Sequence, residues 1–375
     1  NTYRWYAEMA DKELDEISPV GEDDLALITR EPVGVVAVVT PWNFPLTLSA
    51  WKIAPALAVG CTVVHKPADL TPLTAVRIAE LALEAGIPAG VFNVLPGRGS
   101  VIGKGLGLHR AIDSLAFTGS TEVGRAYMEY AAQSNLKRVW LELGGKSPNI
   151  ILPDAPDMQA AIDTAAWGIF FNTGQMCTAP SRLIVHQDVA DEVIAGVIKA
   201  AENYKPGDPF DPATKMGPLA SSSRRAEVQA HVDRGIADGS TLALGGHSVD
   251  LSAPLAGGAY YEPTVFINVN PDSALAQEEI FGPVLSVTTV KDDEEAIRVA
   301  NNSDYGLAAG LWTANVSKVH RLARQIRAGT VWVNCYEEGD LTVPFGGFKM
   351  SGNGRDKSRH ALEKYTELKT TYIKL

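Results

Sequence analysis

The chain has 375 residues, enough for one large domain or two domains of ordinary size. Its formal net charge of −11 argues against a nucleic-acid partner or an anionic membrane surface, because both are negatively charged themselves. The three cysteines form no CxxC pair and indicate a reducing compartment, the cytoplasm, and no apolar run is long enough to span a bilayer.

The first 17 residues have the pattern of an amphipathic helix that ends near Ser18-Pro19. The chain opens inside this pattern and without a methionine, so we expect a further segment upstream. A short alternating strand at 25–30 follows, between polar breaks. Residues of about 18–32 are therefore predicted to form a protruding hairpin that takes part in oligomerisation.

Strands and helices then alternate up to about residue 144. The predicted strands are short apolar runs at 33–39, 62–66, 91–95, 115–117 and 138–141. The predicted helices lie at 46–59, between Thr71-Pro72 and Gly86, and after Gly124. This alternation predicts an α/β fold, with a doubly wound dinucleotide-binding domain over residues 1–144.

The same alternation continues as a second α/β domain, predicted over 145–362. Its strands are expected at 149–151, 181–186, 264–269, 284–290, 310–312 and 330–334. Its helices are expected at 158–171, 189–204, 222–238, 293–301 and 316–327. The residues at 363–375 alternate as a terminal strand, which we expect to contribute to oligomerisation.

Cys177 is the cysteine whose surroundings suit a reactive thiol. It follows a long apolar helical run and Gly174, and small and polar residues flank it. A thiol is largely protonated at neutral pH unless its neighbours lower its pKa. The alternative is a buried thiol that acts as a small hydrophobe.

Several polar residues follow predicted strands, where ligands bind in open α/β sheets. Asn43 lies on a loop stiffened by Pro41 and Pro45, and Lys66 lies three residues before Asp69. Lys66 and Asp69 could hold ribose hydroxyls or form only an exposed ion pair. Other candidates are Gly119 and Ser120, at a turn that could present helix amides to a phosphate, and Glu142, a general base or a structural carboxylate.

Six motifs occur together in one order: Pro41-Trp42-Asn43-Phe44-Pro45, Phe117-Thr118-Gly119-Ser120, Leu141-Glu142-Leu143-Gly144-Gly145-Lys146, Gly174-Gln175-Met176-Cys177, Glu278-Glu279-Ile280-Phe281-Gly282-Pro283-Val284 and Pro344-Phe345-Gly346-Gly347. With them the chain resembles the aldehyde dehydrogenase superfamily along essentially its whole length. The residues from Gly339 to Lys364 are similar to those of γ-glutamyl-γ-aminobutyraldehyde dehydrogenases of putrescine breakdown.

The resemblance implies two doubly wound parallel-sheet domains, a Rossmann-type cofactor domain and a catalytic domain, with a small oligomerisation hairpin. It also implies NAD(P)-dependent oxidation of an aldehyde to an acid. Cys177 would be the nucleophile, Asn43 would help to hold the oxyanion, and Glu142 would activate the water that hydrolyses the thioester. The members of this family extend well beyond residue 1 of this chain at the N-terminus. Cys61 and Cys335 are expected to be structural.

For the cofactor, the resemblance implies a set of contacts at Thr40, Trp42, Lys66, Asp69, Gly119, Ser120, Leu143, Glu279 and Phe281. Asp69 departs from the family pattern, in which NAD-preferring members have Glu. A shorter carboxylate repels a 2′-phosphate less, so NADP use is compatible with this residue; NAD is the predicted cofactor.

The resemblance implies an apolar substrate tunnel lined by Phe44, Trp51, Phe171, Glu337 and Phe345. Acidic residues at 337–340 would favour an aldehyde that carries an amine, unless they form only a solvated loop. A homo-oligomer, either dimer or tetramer, is predicted. Two alternatives remain: a thiol esterase that needs no cofactor, and an inactive truncated or structural form of the fold.

Overall fold

A computed structural model describes all 375 residues. The chain divides into two compact units. Unit 1 comprises residues 1–143, 339–346 and 352–375, and unit 2 comprises residues 144–338 and 347–351. The predicted boundary at 144/145 lies next to this division. The segments 339–346 and 352–362, assigned from the sequence to the second domain, belong by their contacts to unit 1.

Unit 1 contains a five-stranded parallel sheet in the order β5-β4-β3-β6-β7. Its strands are β3 (Val35–Val39), β4 (Thr62–Lys66), β5 (Phe92–Val94), β6 (Ser114–Thr118) and β7 (Arg138–Glu142). Its helices are α1 (Thr2–Met9), α2 (Pro45–Ala58), α3 (Leu73–Glu84), α4 (Lys104–Leu108) and α5 (Thr121–Gln133). A π-helical turn at Gly99–Gly103 leads into α4, and a 3₁₀ turn at Arg359–Lys364 precedes the last strand.

Alternate residues of β3 lie in two different apolar cores, which is why its run is continuously hydrophobic. Val36 and Val38 pack with residues of α2 and α3, whereas Ala37 and Val39 pack with residues of α4 and α5. A strand covered on both faces buries every side chain. Helices therefore cover both sides of the sheet, and the predicted doubly wound arrangement is present in unit 1.

A second sheet of unit 1 has three antiparallel strands in the order β1-β2-β17. These are β1 (Glu16–Ser18), β2 (Asp24–Pro32) and β17 (Thr366–Lys374). β17 pairs with β2 over its nine residues, and its other edge is open. Leu368 and Tyr372 on this edge strand are 64% and 60% exposed.

Unit 2 contains a seven-stranded sheet in the order β10-β11-β12-β9-β8-β14-β15, parallel except for β10. The strands are β8 (Pro148–Ile151), β9 (Arg182–His186), β10 (Thr241–Leu244), β11 (Thr264–Ile267), β12 (Val284–Val290), β14 (Ala308–Trp312) and β15 (Thr330–Val333); β13 (Tyr305–Gly306) and β16 (Phe348–Lys349) form a separate pair. The helices are α6 (Met158–Phe170), α7 (Ala190–Ala201), α8 (Ser222–Ala237), α9 (Ala274–Gln277), α10 (Asp293–Asn301) and α11 (Val316–Gln325).

Most predicted elements are present within a few residues, but several differ. The predicted helix over 1–17 ends at Met9, and Glu16–Ser18 pairs with β2 as a strand. The helix predicted between Thr71-Pro72 and Gly86 begins after Pro72, and the Thr71 side chain does not cap it. The elements α4, α9, β10, β13 and β16 were not predicted. No helix of the chain has the length and apolar character needed to cross a membrane.

Candidate active site

The carboxyl ends of the parallel strands in unit 1 hold several of the predicted cofactor residues. After β3, Thr40 Oγ1 lies 2.9 Å from Nε2 of His65, which is fully buried. Burial lowers the pKa of His65 to about 4, so its ring is neutral at physiological pH. After β4, Lys66 Nζ donates to Asp69 Oδ1 at 2.8 Å. The Lys66 ammonium is buried while Asp69 is exposed, so this carboxylate is open to an incoming ligand.

The strand order reverses between β3 and β6. The chain runs from β3 to β4 and β5 on one side of β3, and then crosses to β6 on its other side. Gly119 and Ser120 lie here, and Ser120 Oγ caps α5 by accepting from Val123 N at 3.3 Å. The buried hydroxyl oxygens of Thr118 and Thr121 have no hydrogen-bond partner. Free amides at a helix N-terminus beside such hydroxyls at a switch point fit the phosphates of a dinucleotide.

The loop after β3 carries Trp42 and Asn43, and Phe44 begins α2 with Pro45 at its first position. All three are partly exposed. About two turns further along α2, the ring centroid of Trp51 lies 5.3 Å from that of Phe345. Two of the predicted substrate residues therefore contact each other within unit 1.

Glu142 ends β7 in a buried position, and neither of its carboxylate oxygens has a hydrogen-bond partner. A Cβ on Gly346 would lie 2.6 Å from Glu142 Oε1, so the glycine allows the backbone to approach the carboxylate. Burial, and secondly the charge of Asp356, raises the pKa of Glu142 well above its ordinary value. Lys52, Lys364 and Arg355 oppose this shift.

Asp356 connects Glu142 to two lysines that the sequence analysis missed. Its two carboxylate oxygens form separate ion pairs with Lys52 and Lys364, and all three side chains are almost completely buried. Asp356 also pairs with Phe345 through two backbone hydrogen bonds of 2.7 Å, next to Gly346. Although burial raises the pKa of Asp356, Lys364 and Lys52 outweigh it, so Asp356 remains ionised.

The only sequence signal for this cluster is Lys52, a lysine within the apolar helix α2. Asp356 and Lys364 follow a glycine-containing turn and lie 304 and 312 residues from Lys52 in sequence, so no local pattern connects them. The cluster exists only because the chain returns to unit 1 near its C-terminus.

In unit 2, Cys177 follows the C-terminus of α6 on a tightly packed loop. It is the one partly exposed residue in a run, 173–180, that is otherwise buried. Asn172, Thr173 and Gly174 have consecutive positive φ values of 49°, 56° and 69°. Such conformations are strained in non-glycine residues and occur where the surrounding structure enforces them.

Two glycine contacts fix the Cys177 loop. A Cβ on Gly174 would lie 2.1 Å from the carbonyl oxygen of Gly282, and one on Gly145 would lie 2.5 Å from the carbonyl oxygen of Cys177. Tyr336 donates its hydroxyl to Thr178 O at 2.7 Å. Backbone segments from three parts of unit 2 therefore hold the thiol in place.

Glu279 lies on the segment that contacts this loop. Its Oε1 accepts from Gly145 N at 3.1 Å. Burial raises the pKa of Glu279 to about 7, against the Gly145 hydrogen bond and the charge of Lys146. Phe281, two residues later, has a positive φ of 54°. Glu279 and Phe281 are thus grouped with Cys177 in unit 2, whereas Glu142 and Asn43 belong to unit 1.

The remaining predicted substrate residues also lie in unit 2. Phe171 stacks on Trp167 at 5.3 Å, and Glu337 follows the buried Tyr336. Cys61 is buried and its thiol donates to Tyr365 O at 3.3 Å, in unit 1. Burial raises the pKa of both Cys61 and Cys335, which is expected of structural thiols.

Comparison with known proteins gives a match between residues 1–371 and the model of the aldehyde dehydrogenase family. The chain belongs to the aldehyde dehydrogenase family. It is 50% identical to the NADP/NAD-dependent aldehyde dehydrogenase PuuC of Escherichia coli K12 over 372 residues, 99% of this chain and 74% of that protein.

Two solved aldehyde dehydrogenases are similarly close. The γ-glutamyl-γ-aminobutyraldehyde dehydrogenase of Burkholderia cenocepacia is 56% identical with a TM-score of 0.96, covering 100% of this chain and 75% of that one. An indole-3-acetaldehyde dehydrogenase complexed with NAD⁺ is also 56% identical with a TM-score of 0.96, covering 99% and 74%. These findings confirm the predicted fold class, family and NAD(P)-dependent dehydrogenase activity, and favour neither the esterase nor the inactive alternative.

Proposed function

We propose that this aldehyde dehydrogenase oxidises an aminoaldehyde or a γ-glutamylamino aldehyde to the acid, preferring NAD, with Cys177 as nucleophile, Asn43 as oxyanion donor and Glu142 as general base. The Cys177 thiolate adds to the carbonyl carbon, a C–S bond forms, and the carbonyl oxygen becomes an oxyanion. The Asn43 amide and the Cys177 backbone N–H donate to that oxyanion.

A nicotinamide cofactor bound in this site would supply the hydride acceptor that oxidation of this carbon to the Cys177 thioester requires. Glu142 then takes a proton from a water molecule, whose oxygen attacks the thioester carbon. The C–S bond breaks, the thiolate is regenerated, and the carboxylic acid leaves. Lys66, Asp69 and Glu279 would hold ribose hydroxyls, and Gly119 and Ser120 would face the phosphates. Thr40, Trp42, Leu143 and Phe281 would line the rest of the cofactor site.

The observation that supports this proposal most directly is the state of Glu142. A buried carboxylate without hydrogen bonds to either oxygen is costly unless function requires it. Its raised pKa suits a base that must abstract a proton from water near neutral pH.

The substrate class is supported by the name of one relative and by charge. The Burkholderia γ-glutamyl-γ-aminobutyraldehyde dehydrogenase is similar to this chain along its whole length. Glu337 would add a carboxylate to the substrate site that Phe44, Trp51, Phe171 and Phe345 are proposed to line. The equally close indole-3-acetaldehyde dehydrogenase makes an aromatic aldehyde the second candidate.

The test is nucleotide reduction at 340 nm with 4-aminobutanal, its γ-glutamyl derivative, indole-3-acetaldehyde and butanal, using NAD and NADP in turn. Cys177→Ala should lose all activity. Cys335→Ala is the control, because its thiol is also partly exposed, and it should retain activity. Activity that survives in Cys177→Ala would contradict the nucleophile. A preference for indole-3-acetaldehyde would contradict the substrate class.

We also propose that the protein forms a cytoplasmic homo-oligomer through the sheet β1-β2-β17. The open edge of β17 and its exposed Leu368 and Tyr372 are features that a pairing strand would cover. The three cysteines form no disulfide, in keeping with a reducing compartment. Light scattering should show a dimer or tetramer that Leu368→Lys with Tyr372→Lys dissociates. A wild-type monomer would contradict this assignment.

A further inference from the structure

A cavity within unit 2 lies along one face of α6 and has a volume of about 650 Å³. This face presents Ala160, Asp163, Thr164 and Trp167, at the spacing of successive helical turns. Pockets of 300–1,000 Å³ are the size that small ligands occupy. Nothing in the proposed chemistry at Cys177 itself uses this volume.

The cavity is connected to the Cys177 loop by two aromatic residues. Trp167 lines the cavity and stacks on Phe171, one turn further along the chain, at 5.3 Å. Tyr336 lines it as well and donates to Thr178 O, next to Cys177, at 2.7 Å. The cavity therefore begins where the proposed substrate site ends.

Charges of both signs line this cavity. Asp163 and Glu338 supply carboxylates, and Lys215 supplies an ammonium whose Nζ lies 5.8 Å over the ring of Tyr204. Asp163 also accepts from Gln159 Nε2 at 3.0 Å, which leaves its second oxygen for another donor. A wall with one cation and two anions complements a ligand that carries both an ammonium and a carboxylate.

The separation of Asp163 and Phe171 along the helix favours a long ligand. They are eight residues apart, which corresponds to about 12 Å along a helix axis. γ-Glutamylamino aldehydes carry a free α-amino-acid group at the far end of a long chain, whereas 4-aminobutanal does not. Short aldehydes would reach Cys177 without entering the cavity.

We propose that the cavity along α6 binds the distal α-amino-acid end of a γ-glutamylamino aldehyde, with Lys215 contacting its carboxylate and Asp163 and Glu338 its ammonium. This inference rests on the proposed function, since it assumes that the aldehyde end reacts at Cys177. Residues outside the catalytic motifs would then distinguish long zwitterionic aldehydes from short ones.

The test compares kcat and KM for butanal, 4-aminobutanal and 4-(γ-glutamylamino)butanal in the wild type, Lys215→Met and Asp163→Asn. Lys205→Met is the matched control, because it removes an exposed lysine near the cavity that does not line it. For the γ-glutamyl substrate alone, each cavity variant should raise KM about threefold to fivefold with kcat unchanged, the size expected for a partly exposed ion pair.

Equal losses on all three aldehydes would indicate a structural defect and overturn the assignment, as would a Lys215→Met enzyme that behaves like Lys205→Met. Asp163→Asn provides an independent check if Lys215→Met does not fold. A wild type that oxidises none of the aldehydes would overturn the proposed function and this inference together, whereas an active wild type without the selective KM effect would overturn only the cavity assignment.

Discussion

Replacing Lys364 with Met removes one of two cations that balance two buried carboxylates. The cluster contains Lys52 and Lys364 against Asp356 and Glu142, so its formal charge changes from zero to −1. Met keeps the length of the side chain and its apolar contacts. The charge change should therefore act mainly on the carboxylate that can still take up a proton, Glu142, since Asp356 keeps its ion pair with Lys52.

The magnitude follows from the geometry of this cluster. A nearby opposite charge shifts a carboxyl pKa by about 1–3 units. Because Lys52 and Arg355 remain, we expect Lys364→Met to raise the pKa of Glu142 by an amount at the lower end of this range. Removing one partner of a buried ion pair also destabilises the fold, by about 3 kcal/mol. Both effects are large enough to measure.

The assay is the pH dependence of kcat and kcat/KM between pH 6 and 10. Glu142 acts as a base only when ionised, so a higher pKa means that activity is lost at a higher pH as the pH falls. The acidic limb of the profile should move up by about 1–2 units. Lys369→Met on the exposed strand β17 is the control and should leave the profile unchanged. A folded Lys364→Met enzyme with an unshifted acidic limb would refute the reasoning.

Three further outcomes are expected. Glu142→Gln should lower kcat by about 10²–10⁴-fold, yet raise the Tm, and raise it more at pH 9 than at pH 6, because the ionised carboxylate is the form that burial disfavours; a Tm that falls at pH 9 would contradict this. Gly174→Ala should destabilise by about 1–3 kcal/mol in urea unfolding because its Cβ meets Gly282, whereas Gly105→Ala, with open space, should not. The enzyme should bind NAD more weakly as the pH falls through 7, because Glu279, with a pKa of about 7, then loses its charge. Glu279→Gln should abolish this pH dependence in fluorescence titrations.

The regular part of the fold could be predicted because burial imposes a periodic pattern on the sequence. β4, β12 and α10 have the predicted bounds, since each is a continuous or regularly spaced apolar run between polar breaks. The helix predicted over 1–17 is too long because residues 10–17 have good helix propensity, while the pairing of β1 with β2 overrides it. The edge strand β10 was missed because it is short and irregularly paired.

Only some residues of the candidate site could likewise be predicted from the sequence. Cys177, Asn43 and Glu142 lie in compact motifs with glycine or proline neighbours, so the sequence marks them. Asp356 and Lys364 carry no such signal. Asp356 pairs with Lys52 across 304 residues, which leaves no local pattern, and Lys364, eight residues after Asp356, lies in no motif. The residues along the cavity on α6 also went unnoticed, because polar residues on a helix usually face solvent.

The division of unit 1 among three stretches of chain has a consequence for biosynthesis. Unit 2 is complete once residue 351 has been synthesised, whereas unit 1 needs the last strand, β17, and the segment with Asp356. At about 5–20 residues per second, roughly 10–40 s separate the synthesis of Glu142 from that of Asp356. Until then the nascent chain exposes apolar surface of unit 1 without its closing segment. Chaperones that act near the ribosome should therefore engage the exposed apolar surface of residues 1–143. The buried charges around Glu142 should come together only after the segment with Asp356 has left the ribosome.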